Sequence, residues 1–322
     1  MLEPFERPVY DRPPFPKTLL AEGEEVDTPW LDVTYPVGTR QAHHHPETGT
    51  PTVRVDFRLS SDQVAQLKKG VLALTNDDPS FARLSAQDAL AATLAVVITE
   101  AAPDAPAIRT VTTHINFRGV ADVAPTSAGN ALVQAVAHLP ESSASTDIPT
   151  LALSIRRSLL SSRDTTTLGK LLVKTSARFA EAARNTHYTD FSSAPGALNI
   201  NSTRPYNWTS AHFGYPGQAR FFHTCSDAPR YVKMFTPNPT RQADGSWRDW
   251  AGGAEVMFYI EPRYRGPFIK AFEAKVYALG VQGEVEWMES VEITEVPDNT
   301  AWYDIPRTIL SKVANSFNYR AQ

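Results

Sequence analysis

A single cysteine, Cys225, stands in 322 residues. An internal disulfide is thereby excluded, and so is a zinc site built on several cysteines. Basic blocks are missing too: 31 lysines and arginines face 35 aspartates and glutamates, for a net charge of −4. Neither nucleic acid nor an anionic membrane surface is therefore indicated as a partner. No run approaches the roughly 18 apolar residues that a membrane span needs. The opening MLEPFERPVYDRPPF mixes acids, bases and prolines and does not read as a secretory signal peptide. There is no G-x-S-x-G elbow around serine pairs such as Ser142-Ser143 or Ser192-Ser193, no G-x-G-x-x-G, no Walker A loop and no internal repeat. The expectation is a soluble, cytoplasmic protein of mixed α/β (α+β) class. Its apolar fraction of 42 % is enough for a sizeable core.

Residues 1–50 carry many prolines and little periodicity, so they read as an extended linker or crossover, with the folded domain spanning 51–322. Val53 to Leu59 alternates as a strand. Ser60-Ser61-Asp62 then caps a helix with Val64, Leu67, Val71 and Leu74 on its apolar face. Ser85, with Asp88 three residues on, opens a second helix whose middle is apolar nearly all round and hence buried. Ile108 to Phe117 and Ala131 to Leu139 read as strands. Residues 146–161 and 165–184 read as helices, the second with Leu168, Leu172, Phe179 and Ala183 on one face. From Leu198 to His223 the pattern is strand, aromatic turn, strand, with two glycines and two prolines packed among large rings. A polar stretch (236–252) separates this from the strand in GGAEVMFYIEP and the helix in RGPFIKAFEAKVYALG. The tail offers a strand from Val285 to Ile293 and an amphipathic helix from Ile305 to Tyr319.

Four patterns along this path resemble, in order, those of the BAHD family of acyl-CoA-dependent acyltransferases. LSAQDALAATL (84–94) is similar to the family's S-x-x-D-A-L helix. NFRGVADVAPTSAGNAL (116–132) is similar to its D-x-R…P…G-N segment, matching at Arg118, Pro125, Gly129 and Asn130. HFGYPG (212–217) resembles the Asp-Phe-Gly-Trp-Gly motif, and GGAEVMFYIEP with its helix resembles the last strand–helix pair. PVYDRPPF (8–15) resembles the P-x-x-D-R segment that follows the first half of fungal members. The resemblance covers roughly residues 8 to 280. It implies the C-terminal half of a chloramphenicol-acetyltransferase-like fold, a mixed β-sheet with helices mainly on one face. It also implies acyl-CoA as co-substrate, a small hydroxyl- or amine-bearing acceptor, and no bound cofactor.

In that family the aromatic motif is structural and holds the active-site channel, its aspartate pairing with an arginine. Here His212, Phe213, Gly214, Tyr215 and Gly217 occupy it, with His212 in place of the aspartate and Pro216 in place of the final glycine. Arg118 reads as a structural arginine of the same half. The family's catalytic His-x-x-x-Asp-Gly belongs to the first half of the fold, upstream of everything matched here. His223 and Asp227 have the His-x-x-x-Asp spacing, but they follow the aromatic motif and Ala228 stands where glycine would. Were they catalytic, neutral His223 would take a proton from the acceptor as it attacks the thioester. His43-His44-His45 cannot converge on one ion in extended chain, so no metal site is expected. His187 to Asp190 reads as a loop or cap feature. Three readings of function follow: part of an acyltransferase completed by an N-terminal half or partner chain, a non-catalytic binding protein that keeps half of the fold, or a self-contained enzyme using His223 with Asp227. A lone half would show an exposed apolar face.

Overall fold

The computed structural model describes residues 26, 28, 34–36, 52–76, 78–120, 123–125, 131–189, 195–206 and 230–288. In chain order these form β1 (Thr34–Pro36), β2 (Val53–Leu59), α1 (Ser61–Ala73), α2 (Ala86–Ala101), β3 (Thr110–Asn116) and β4 (Leu132–His138). Then come α3 (Ile148–Ser161), α4 (Thr165–Arg184), β5 (His187–Thr189), β6 (Ala197–Ser202) and β7 (Tyr231–Phe235). The series closes with β8 (Thr240–Arg241), β9 (Trp247–Arg248), β10 (Ala254–Ile260), α5 (Pro262–Ala278) and β11 (Glu286–Trp287).

Seven strands make one mixed sheet in the order β11-β2-β10-β7-β6-β3-β4. β6 runs parallel to both of its neighbours, β3 and β7, while the other pairings are antiparallel. The short β1 pairs with β5, and β8 pairs with β9 as a hairpin inside the stretch read as merely polar. His187 thus lies on a strand rather than in a cap.

Period-2 alternation decides which side of each strand meets the helices. Val55, Phe57 and Leu59 of β2 share one face with Ala254, Val256, Phe258 and Ile260 of β10, and with Val232, Met234, Leu198, Ile200 and Val111 of the central strands. Helices α1, α2, α3 and α5 cover this face. Helix α2 is buried almost throughout, as its all-round apolar sequence requires. Phe57, Phe272, Phe268 and Trp287 form an aromatic knot, with Phe57 and Phe272 centroids 4.5 Å apart. Gly70 lets α1 approach the end of α5: a Cβ there would fall 1.9 Å from the Leu279 carbonyl oxygen. At the far end of the same face, Leu168 and Leu171 of α4 pack with Ile115, Val133 and Ala135.

Both capping boxes are formed. Ser60 and Gln63 exchange side-chain and backbone bonds at α1, and Ser85 and Asp88 do so at α2. Asp88, fully shielded from solvent, also takes the Arg156 guanidinium at 2.7 Å, tying α3 to the start of α2.

Three expectations need correction. Leu74 is the C-cap of α1 and is 56 % exposed, because the helix stops before its side chain can turn inward. On α4, Leu168 is buried and Leu172 packs partly against the same cluster, as expected, but Phe179 is 41 % exposed and Ala183 is exposed, the last turn being buried at Ala182 instead. Helix α5 starts at Pro262, well ahead of Arg265, since proline at the first turn sacrifices no bond. The sheet face left without helices is mixed: Arg54, Asp56 and Arg58 of β2, Glu255 of β10, Lys233 of β7, Asn199 and Asn201 of β6, Thr112 and His114 of β3, and Gln134 of β4 share it with Met257 and Tyr259 of β10, Tyr231 and Phe235 of β7, and Leu132 and Val136 of β4, of which Leu132 is 46 % exposed. No described helix is long and apolar enough to cross a membrane.

Candidate functional site

Most of the residues that the motifs single out lie outside the described residues: His212, Phe213, Gly214, Tyr215, Gly217, His223, Asp227, Gly129 and Asn130. The tail helix from Ile305 to Tyr319 lies outside them as well. Arg118 is described. It follows β3, half-buried, with its backbone N–H and its Nη1 each donating to Asn116 Oδ1 at 3.1 Å. Asn116 in turn donates to the Tyr206 hydroxyl at 3.2 Å.

The sheet itself supplies a constellation that motif reading passed over. Across β4, β3, β6 and β7, on the face without helices, Gln134, His114, Asn201 and Tyr231 stand in a row. His114 Nδ1 lies 3.3 Å from the Ile200 carbonyl, and its Nε2 lies 3.0 Å from Gln134 Nε2. A carbonyl only accepts, so Nδ1 carries the proton; Nε2 is then the acceptor and the Gln134 amide donates to it. Burial holds the imidazole below its usual proton affinity, outweighing the Ile200 bond, and the Lys233 charge pushes it the same way as burial. The ring is therefore neutral with a defined tautomer.

Tyr231 meets the His114 ring edge-on at 5.7 Å between centroids. Its hydroxyl accepts from Asn201 Nδ2 at 2.8 Å, and burial raises its proton affinity so that it stays a phenol. The Lys233 ammonium sits 4.9 Å from the Tyr231 ring centroid. Gln134 is 3 % exposed, yet its Oε1 receives no donor among the described residues. A buried acceptor left so costs about 1–3 kcal/mol, which marks the row as incomplete.

The other half of this face is closed on itself. Arg58 bridges Glu255 at 2.8 Å and Glu286 at 3.1 Å, and Arg54 pairs with Asp56. Burial raises the Glu255 carboxyl above the usual range, while Arg58 pulls it back. These charges find their partners within the protein, so they read as a structural clamp. Arg204, just past β6, is likewise committed, donating to the Gly253 and Gly252 carbonyls at 3.0 and 3.1 Å and to Gln87 Oε1 at 3.3 Å. No group of three or more potential metal ligands occurs among the described residues.

The row was legible in principle. Thr112, His114 and Asn116 alternate with Val111, Thr113 and Ile115, and Asn199 and Asn201 alternate with Leu198 and Ile200. A strand buried on only one side would place such residues toward water. Polar residues recurring on the same side of adjacent strands were the signal.

No protein-family model matches the chain, and no curated protein matches it. Solved structures do. TRI101 of F. graminearum, complexed with coenzyme A and T-2 mycotoxin, is 13 % identical with a TM-score of 0.54, over 82 % of this chain and 54 % of that one. The same protein complexed with coenzyme A and deoxynivalenol is 13 % identical with a TM-score of 0.54, over 79 % of this chain and 55 % of that one. F. sporotrichioides TRI101, complexed with coenzyme A and T-2, is 13 % identical with a TM-score of 0.51, over 74 % and 52 %. The chain thus spans about half the length of the structures it matches. The likeness establishes the fold, a chloramphenicol-acetyltransferase-like α/β architecture.

Proposed function

We propose that this chain is the C-terminal portion of an acyltransferase that moves an acyl group from acyl-CoA to a hydroxyl or amine of a small metabolite. The observation that carries this reading is that its sheet and helices superpose on half of TRI101, whose structures hold coenzyme A together with a small molecule. The four BAHD-like motifs, in family order, support it independently. In the reaction the acceptor oxygen or nitrogen bonds to the thioester carbon, the C–S bond breaks, and the acceptor's proton ends on the coenzyme A thiol.

That proton needs a base. His114 is a poor one as it stands, since both of its nitrogens are engaged. Two sources remain. One is a His-x-x-x-Asp-Gly supplied from outside the matched half; the other is His223 with Asp227. In either case Phe213, Gly214 and their neighbours would hold the channel.

Calorimetric titration of the protein with coenzyme A tests the reading. Saturable binding supports it, and no binding at millimolar coenzyme A overturns it. His223→Ala then separates the two bases. If thiol release from acetyl-CoA vanishes while circular dichroism is unchanged, His223 is the base; if release persists, the base comes from elsewhere.

A further inference from the structure

The Gln134–His114–Asn201–Tyr231 row has unspent hydrogen-bonding capacity, and that capacity has a chemical signature. Gln134 Oε1 lacks a donor among the described residues and is shut from solvent. Asn201 has spent an N–H on Tyr231, and its own carbonyl oxygen has no donor among the described residues. The Tyr231 hydroxyl accepts that bond, so its proton remains to be given. Gln134 Oε1 lies at the closed end, so one acceptor, Asn201 Oδ1, and one donor, the Tyr231 O–H, await a ligand at the open end. Asn201, Tyr231 and His114 are half-buried, so the row can be approached from one side while its far end is dry.

A carboxylate only accepts and leaves the Asn201 carbonyl oxygen unfilled. An ammonium only donates, leaves the Tyr231 proton unused, and meets the Lys233 charge beside the same ring. A hydroxyl does both. We propose that this row binds a neutral, hydroxyl-bearing molecule. Where the acyltransferase reading holds, on which this extension rests, that molecule is the acceptor. His114 is the positioning residue: pinned by the Ile200 carbonyl, it orients Gln134 on one side and stacks Tyr231 on the other.

The test uses the full chain, isotope-labelled, and three probes of equal size: a vicinal cyclohexanediol, cyclohexylamine and cyclohexanecarboxylate. We expect the diol to shift the Gln134 carboxamide and His114 imidazole resonances saturably. The amine and the carboxylate should bind at least about tenfold more weakly. Tyr231→Phe, which keeps the ring, should weaken the diol by about tenfold. Should that variant not fold, Asn201→Leu, which removes the reachable acceptor, carries the same expectation. Equal or tighter binding of the amine or carboxylate overturns the proposal, as does a diol affinity untouched by the substitution. Diol binding without coenzyme A binding supports this site and contradicts the acyltransferase reading. Coenzyme A binding with thiol release to the amine alone contradicts this site and leaves that reading standing.

Discussion

The two faces of the seven-stranded sheet are made by the same strands, one residue apart, and they do opposite things. The face under α1, α2, α3 and α5 is sealed by aliphatic and aromatic side chains at 0–8 % exposure. The opposite face carries ion pairs at the β11–β2–β10 end and a hydrogen-bonded row at the β7–β6–β3–β4 end. The first is satisfied by packing; the second is satisfied at one end and left short at the other. Stability and recognition are thereby separated by alternation alone, and each should be open to attack without the other.

The largest effect should come from the packed face. Phe272→Ala removes a fully buried ring that touches Phe57, Phe268 and Trp287, and should cost about 3–5 kcal/mol in urea unfolding. Diol affinity per folded molecule should stay as it was. Next comes the ion-paired end. Arg58→Met leaves Glu255, 2 % exposed, without its countercharge and should cost about 3 kcal/mol. If that loss stays below about 1 kcal/mol, the clamp is not structural. Ser60→Ala, which opens the α1 capping box, should cost about 1 kcal/mol by thermal or chemical unfolding.

The smallest effect is absent at neutral pH. His114 binds its proton less readily in the folded protein than in the unfolded chain, whose value is near 6.5. The unfolded state therefore protonates first as pH falls, and stability above that pH is lost below it until the folded His114 also protonates. A His114→Gln variant should lack this slope. Parallel curves for the two proteins between pH 7 and pH 5 would mean that the imidazole is not held neutral.

Much of the packed face was readable beforehand, because hydrophobic periodicity and caps are local. Val53–Leu59 is a strand as read, Ser60 of the Ser60-Ser61-Asp62 run caps α1, and Ser85 is the cap expected from its spacing to Asp88. The order of BAHD-like segments pointed to the fold that TRI101 shares. The exposure of Phe179 was not readable, since which helical stripe is buried depends on where β3 and β4 end. Alternation marked the polar side of each strand, but not how those sides join into the His114 row: Gln134 and Tyr231 are 97 positions apart, and only the parallel insertion of β6 between β3 and β7 aligns them. Motif spacing reports chemistry carried by one segment, whereas this row takes one residue from each of four strands.

The most direct measurement pairs two readouts on Tyr231→Phe, urea stability and diol affinity. A face kept for recognition should lose about tenfold in affinity for a stability cost of no more than about 1 kcal/mol. A variant that binds the diol as before but unfolds several kcal/mol more easily would contradict this account, making the polar row one more piece of the scaffold.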